Sequence, residues 1–501
     1  MSPAVGEPVP ARPRRRGLLV TAMTLSWALL LGTYLFFLVV VPQTPARMQQ
    51  AAAQLDHRLA LWRWLTSLSL PKPHGSHLLA ALIAAVFAAF ALYAVAVLAA
   101  RALPESRRVL AAVIAGAVVF TSMATLAFPN LDSDVYTYIA TGRVAAVHHR
   151  DPYAHATDQF SHDPYFRFEQ RQYTHYPDIK LPAWMPINVG LAEVAGNDPV
   201  TGLLVYRGAF ALFGLANLAL VLLIVRRLRP QRLTEAAISW GWNPLVVLFA
   251  QSKVDTVMVF YLLVSVLALT AARRQLGVLF MTLATLVKLL TAPFLAMLLL
   301  ADAGRRRWRR LVASIVVVLA TVAVLYSPYS HTTRLLAKHF GLAGTAGAGG
   351  TQANGGARAL LLLVGICVVA FLALRRERTL PEQLRVWALI GVAVGVAVVA
   401  GDYPWYLLTF LALVVVAGDL WLSAALGALG LLSLAVYERH SNSTHRHPLP
   451  HLSTVSFGVF VLFLAAVGVA LVGMVRLRNH RHALVPTASA GAPERVDALR
   501  D

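Results

Sequence analysis

A single cysteine, Cys367, excludes an intramolecular disulfide, so no external loop is stapled covalently. It lies inside an apolar run and reads as a small packed thiol. Charge is also scarce: 13% of the 501 residues are Asp, Glu, Lys or Arg, against 58% hydrophobic, and the mean hydropathy is +0.64. Those proportions exclude an ordinary soluble domain. Acidic residues are the scarcest charges, 23 against 44 Lys and Arg, for a net charge of +21. The surplus does not point to nucleic acid, because the arginines cluster at the ends of apolar runs, where the positive-inside rule puts them. Neither a Walker motif nor a Gly-rich dinucleotide turn after a strand is present, so no soluble nucleotide site is visible. Internal repeats are not evident. What remains is a succession of apolar runs, and the fold class they specify is an all-α polytopic membrane protein.

The runs predict a topology. Residues 17–41 follow Arg12, Arg14, Arg15 and Arg16 and are too long for the apolar part of an export signal, so they read as a retained helix behind a basic cytoplasmic N-terminus, residues 1–16. Residues 78–100 return to a basic loop at 101–108, and 109–128 cross again. The segment 129–182 is polar, rich in Asp, His, Tyr and Pro, and too long for a simple connection, so it is a structured external loop with a helix over 133–148. Residues 183–196 are apolar but short, which suits a re-entrant or interfacial piece. Further crossings are predicted at 202–225, 236–250 and 254–272. Residues 276–300 contain Lys288 and Pro293 and read as a broken helix with both ends cytoplasmic. Beyond them lie crossings at 312–326, 360–374, 386–400, 405–417, 421–437 and 455–475, with a Gly-rich external loop at 331–357. The sum is about twelve crossings of the plasma membrane in one integral-membrane domain, 17–475, with a cytoplasmic tail at 476–501 and both termini on the cytoplasmic side.

Several chemistry-bearing residues then converge on the outer face. Asp132 and Asp134 follow an apolar span directly, and ionised groups at that depth are costly unless they bind or catalyse. Lys253 and Asp255 fall on the same face, as does Asp402-Tyr403-Pro404-Trp405-Tyr406. A carboxylate there can take a proton from an attacking hydroxyl, aromatic rings can stack on sugar faces, and Lys or Arg can hold a leaving phosphate. This chemistry suits transfer of a polar group from a lipid-linked carrier. Lys253 runs against the positive-inside trend and Lys288 lies in an apolar segment, so both are read as phosphate contacts, with Arg207 as a third. Tyr136, Tyr138, Arg143, Asp255, Trp405 and Tyr406 are candidate substrate contacts. Asp132 or Asp134 would equally serve as a helix cap, and Trp405 with Tyr406 as an interfacial aromatic belt. The histidines His148, His149, His155, His162 and His175 lack structural-zinc spacing and read as a polar surface. A divalent cation bridging Asp132 and Asp134 would fit hard-ion chemistry, but no metal and no cofactor is predicted.

Asp132-Ser133-Asp134-Val135-Tyr136 after a membrane span resembles the first-loop signature of the GT-C superfamily, membrane glycosyltransferases that use polyprenyl-phosphate sugars. Gly142-Arg143 and Asp151-Pro152-Tyr153 follow it in the family's order. So do Trp242-Asn243-Pro244-Leu245, Asp255 with Met258 and Phe260, Leu286-Val287-Lys288 with Pro293, and Pro404-Trp405-Tyr406-Leu407. The resemblance runs from Phe128 to Leu407 and is greatest to the actinobacterial polyprenyl-phosphomannose-dependent mannosyltransferases that build lipomannan and related glycolipids. It implies a GT-C-like bundle, a polyprenyl-phosphate sugar donor, a glycolipid or polysaccharide acceptor, and inversion at the anomeric carbon. It also implies a first-loop aspartate as base, Asp132 before Asp134. Two departures leave donor and acceptor open. Leu181-Pro182-Ala183-Trp184-Met185-Pro186 replaces the relatives' Tyr-Gly-Pro, and Gln251-Ser252-Lys253-Val254-Asp255 replaces Asn-x-His-Asn-Asp. A flippase or transporter of a polar lipid, or a non-catalytic envelope-assembly scaffold, would share the many helices; a transporter would be expected to carry inverted repeats.

Overall fold

A computed structural model describes residues 13–37, 76–126, 134–169, 173–329, 379–399 and 404–442. Asp132, Asp402, the Gly-rich loop 331–357, the spans predicted at 360–374 and 455–475, and the tail 476–501 lie outside the described residues. Among the described residues every regular element is helical. Five of these described helices are long and apolar enough to cross a membrane, and shorter apolar helices accompany them. The chain is therefore an all-α polytopic membrane protein.

Helices α1 (Pro13–Leu35), α2 (Ser76–Ala102) and α3 (Arg107–Leu126) match the first three predicted spans. Helix α4 (Asp134–Ala146) occupies the start of the polar loop as predicted, and α5 (Met185–Ala195) is the short apolar piece that follows it. The long α6 (Pro199–Leu228) begins where Pro199 fixes φ and Asp198 accepts from the Thr201 amide.

One predicted span is not a single helix. Residues 236–250 divide into α7 (Leu233–Gly241) and α8 (Pro244–Phe249). Pro244 has no amide hydrogen and cannot continue α7, while the Asn243 side chain caps the new start by accepting from the Leu245 amide at 2.9 Å. Helix α9 (Asp255–Thr270) follows.

The break at Lys288 is present. Helix α10 (Arg274–Thr285) stops, Lys288 is extended (φ −159°, ψ 134°), and α11 (Ala292–Gly304) resumes after a short 3-10 turn. A carbonyl freed by that break, Leu286 O, accepts from the Ala183 amide at 2.9 Å. The end of the polar loop thus satisfies the interrupted helix, as a backbone break away from water requires.

Helix α12 (Trp308–Tyr326) is nearly bare of protein: Val312, Val316, Leu319 and Val324 are all exposed, as expected of a lipid-facing helix. Helices α13 (Leu380–Val399), α14 (Leu407–Ala417) and α15 (Leu420–Asn442) complete the described part. Every residue of α14 is buried, so this helix, apolar but for Thr409, sits at the centre, against α6, α7, α9, α13 and α15.

Close packing fixes α4 against its neighbours. At Gly142 an added Cβ would lie 2.7 Å from the Tyr206 hydroxyl oxygen and 2.9 Å from Asn188 O. The Tyr206 hydroxyl donates to Asn188 at 2.8 Å, so neither group can retreat freely. Gly142→Ala is expected to cost about 1–3 kcal/mol by overpacking. Gly190→Ala, where nothing lies within 4 Å, is the control. Thermal unfolding in detergent checks this, and equal melting of the two variants would refute it.

Candidate functional site

The break at Lys288, the turn between α8 and α9, the start of α4 and the 3-10 turn Pro404–Tyr406 meet in one place. Lys253 is fully buried, and its Nζ donates to Asp134 Oδ2 at 2.7 Å. On its other side Nζ lies 3.3 Å from the centre of the Trp405 ring. Lys288 repeats the arrangement. Its Nζ donates to both oxygens of the fully buried Asp255, at 3.0 and 2.9 Å, and lies 3.7 Å from the centre of the Tyr406 ring. Each ammonium is therefore sandwiched between a carboxylate and the negative face of an aromatic ring. Because Trp405 and Tyr406 are adjacent, edge to face at 6.2 Å, one turn covers both lysines.

Asp134 also receives the Tyr138 hydroxyl at 3.4 Å. Burial alone would push its carboxyl up, but Lys253, Lys180 and Lys288 together hold it below the usual carboxylate range. Lys180 is the residue that sequence reasoning missed. Its Nζ lies 5.5 Å from the Tyr138 ring centre, and it adds positive potential at Asp134. The positive-inside argument that singled out Lys253 applies equally to a lysine in an external loop, so a signal for it existed. Among the described residues Lys253 and Lys288 are each paired with a carboxylate, and Lys180 adds positive potential at both Asp134 and Asp178.

Other predicted contacts have partners elsewhere among the described residues. Tyr136, on the other side of α4, stacks on Phe168 at 5.6 Å. Arg207 is buried in α6 and donates to Ala124 O at the end of α3. Arg143 is only 2% exposed. It donates to both oxygens of Asp163 at 2.9 and 3.0 Å, to Asn197 Oδ1 at 2.8 Å and to Gly196 O, and its guanidinium lies over the Tyr165 ring. His148 reaches the same carboxylate at 2.9 Å. These bonds tie α4 to the polar loop and to the turn before α6. No group of three or more His, Cys, Asp or Glu that could hold a metal occurs among the described residues.

An all-helical membrane protein with an aromatic-capped cluster of lysine–carboxylate pairs at a broken helix is the class these features define. The family described as alpha-(1->6)-mannopyranosyltransferase, N-terminal domain, matches residues 18–304, more than half of the chain, and the chain belongs to that family. It is a membrane mannosyltransferase. No curated protein and no solved structure matches it.

Proposed function

We propose that this chain moves mannose from a polyprenyl-phosphate donor to a cell-envelope glycolipid or polysaccharide, on the extracytoplasmic face of the plasma membrane, with both termini in the cytoplasm and a GT-C-like fold. The observation that carries the reading is the pairing of Lys253 and Lys288 with Asp134 and Asp255 under Trp405 and Tyr406. An ammonium withheld from water, as that of Lys253 is, interacts more strongly with an incoming phosphate than a surface lysine does. A lipid-borne donor presents its phosphate at that depth without leaving the bilayer.

Asp132 is the base. It takes the proton of the acceptor hydroxyl as that oxygen attacks the anomeric carbon from the face opposite the phosphate, so configuration inverts and polyprenyl phosphate leaves with the electrons of the broken bond. Lys253, Lys288 and Lys180 stabilise the negative charge that grows on the leaving phosphate, and Arg207 contributes positive potential from α6. Asp134, engaged by Lys253, aligns the acceptor or its neighbouring acid. Tyr138, Asp255, Trp405 and Tyr406 shape the space for the sugars, while Tyr136 and Arg143 hold α4 and the polar loop in place around it.

The test is reconstitution of the purified chain in liposomes with labelled polyprenyl-phosphate mannose and a panel of mannosylated lipid acceptors, followed by linkage analysis. A new mannosidic bond is expected from the lipid-linked donor and none from a nucleotide sugar supplied alone. Transfer supported directly by the nucleotide sugar would overturn the donor assignment, and lipid flux without a new bond would overturn the enzyme reading.

A further inference from the structure

Helix α14 starts at the turn that bears Trp405 and Tyr406 and ends about 16 Å away, and a second group of charges surrounds that far end. Arg229 follows the last residue of α6, and its Nη2 donates to Val415 O at 2.8 Å and to Val416 O at 2.7 Å. Those carbonyls close α14 without helical partners, so the guanidinium caps the helix. Gly418 follows at φ +64°, and a Cβ there would lie 1.2 Å from Arg229 Nη1, so only glycine leaves the guanidinium this path. Arg101, in the last turn of α2, donates to Glu235 Oε1 at 3.0 Å. Arg232 donates to Arg101 O at 2.8 Å and reaches Glu235 Oε2 at 3.5 Å. Arg385, exposed on α13, lies within electrostatic reach of Arg229, as Arg101 and Arg232 do.

Gathering four guanidiniums from separate segments is unfavourable unless negative charge offsets them. Glu235 is the carboxylate that faces Arg229, and Arg101 and Arg232 already share it. The other acids of the adjoining turns are engaged locally. Glu105 accepts from the amide and hydroxyl of Thr234, Glu382 from the Thr379 amide, and Asp419 from the amides of Trp421 and Leu422. Across residues 101–108, 226–235, 379–385 and 418–419 there are eight arginines and four acids. Burial, joined by Arg232, Arg385 and Arg101, pushes the Arg229 guanidinium below its ordinary pKa against the pull of Glu235, and it stays charged at neutral pH. Its Nε is buried and meets no hydrogen-bond partner among the described residues. An anion among these arginines supplies the negative charge that the chain itself does not.

Where the arginines stand decides which anion fits. Arg101 and Arg229 lie at the ends of long apolar helices, where such helices leave a bilayer. Val95 and Leu98, six and three residues before Arg101 on α2, are exposed, and so is Leu223, six residues before Arg229 on α6. Apolar surface open to lipid therefore lies directly beside the guanidiniums. A small anion from water would use the charge alone. A phospholipid uses both, with its phosphate among the arginines and its acyl chains along the helices, as basic pockets between membrane helices do.

We propose that Arg101, Arg229, Arg232 and Arg385 bind the phosphate of one anionic phospholipid from the leaflet at that end of the bundle, its acyl chains lying along α2 and α6. The site stands apart from the lysine pairs and does not depend on the donor or the reaction assigned to them.

The full-length chain, purified in detergent and freed of lipid, is titrated in mixed micelles with dioleoyl phosphatidylglycerol and separately with dioleoyl phosphatidylcholine. Native mass spectrometry counts the lipid retained, and melting curves follow stabilisation. About one phosphatidylglycerol per chain should be retained at saturation and raise the melting temperature, with phosphatidylcholine about tenfold weaker. Arg232→Gln and Arg385→Gln should each weaken binding about fivefold, and together about 25-fold. Arg385 is exposed, so that variant keeps the fold, and Arg229 is left unaltered because its loss would uncap α14. Arg309→Gln combined with Arg310→Gln removes two exposed arginines from the first turn of α12 and should leave affinity unchanged. Inorganic phosphate in millimolar excess should neither displace the lipid nor raise the melting temperature. Equal retention of the two lipids, unchanged binding in the Arg232 and Arg385 double variant, or an equal loss in the Arg309 and Arg310 pair would each overturn the proposal. Protection by inorganic phosphate equal to that by phosphatidylglycerol would also overturn it, in favour of a free anion.

Discussion

Asp132→Asn should slow mannosyl transfer by about 10²–10⁴-fold while the protein melts as the unaltered chain does. The amide keeps the shape of the carboxylate but cannot accept the acceptor's proton, so the loss should appear in turnover rather than in donor affinity. Asp134 provides the contrast. Its Oδ2 is bonded to Lys253 and Tyr138, and the surrounding ammoniums hold its carboxyl below the usual range, which makes it a poor proton acceptor. Asp134→Asn should therefore lower stability, because Lys253 loses its counter-charge in a buried place, and lower activity through misplacement of the site. Rates in proteoliposomes with labelled donor, read beside melting curves, separate the two. If Asp134→Asn eliminates turnover with melting unchanged and Asp132→Asn is mild, the base is Asp134.

Asp255→Ala should destabilise the protein by about 3 kcal/mol, since it leaves the largely buried Lys288 ammonium without its carboxylate beside two other lysines. Asp255 is fully buried and both its oxygens are spent on that ammonium, so no other group among the described residues replaces it. Adding Lys288→Met to Asp255→Ala should restore most of the lost stability, because the two substitutions remove both members of the pair. The double variant should nevertheless fail in transfer, having lost a phosphate contact. Unfolding in detergent for the two single variants and the double gives the coupling free energy. Full additivity of the two single effects would mean that the observed ion pair contributes nothing. Transfer by the double variant at the unaltered rate would remove Lys288 from the phosphate site.

Much of the helical layout was legible in residue order. Apolar runs bounded by arginine marked the long helices, Asp134 opened α4, and Lys288 with Pro293 marked the broken span, because these signals are local. Pro244 carried the same kind of signal, yet the apolar stretch around it masked the division between α7 and α8. The site was legible as a set of residue types on one face but not as pairs. Lys253 meets Asp134 across 119 positions of sequence, and nothing local records that choice of partner.

The ring cover of the lysines has an architectural consequence. Lys253 and Lys288 belong to the stretch that ends at Gly304, whereas Trp405 and Tyr406 arrive a hundred residues later, on the turn leading into the most enclosed helix of the bundle. A fragment halted at residue 304 would keep Asp134 and Asp255 beside the two cations but lack their ring cover, and a swapped carboxy-terminal half would have to bring two flat side chains to the same spot. Change in either half is thus constrained by the other, and chimaeras joined between residues 304 and 404 should work only where that indole and phenol are retained.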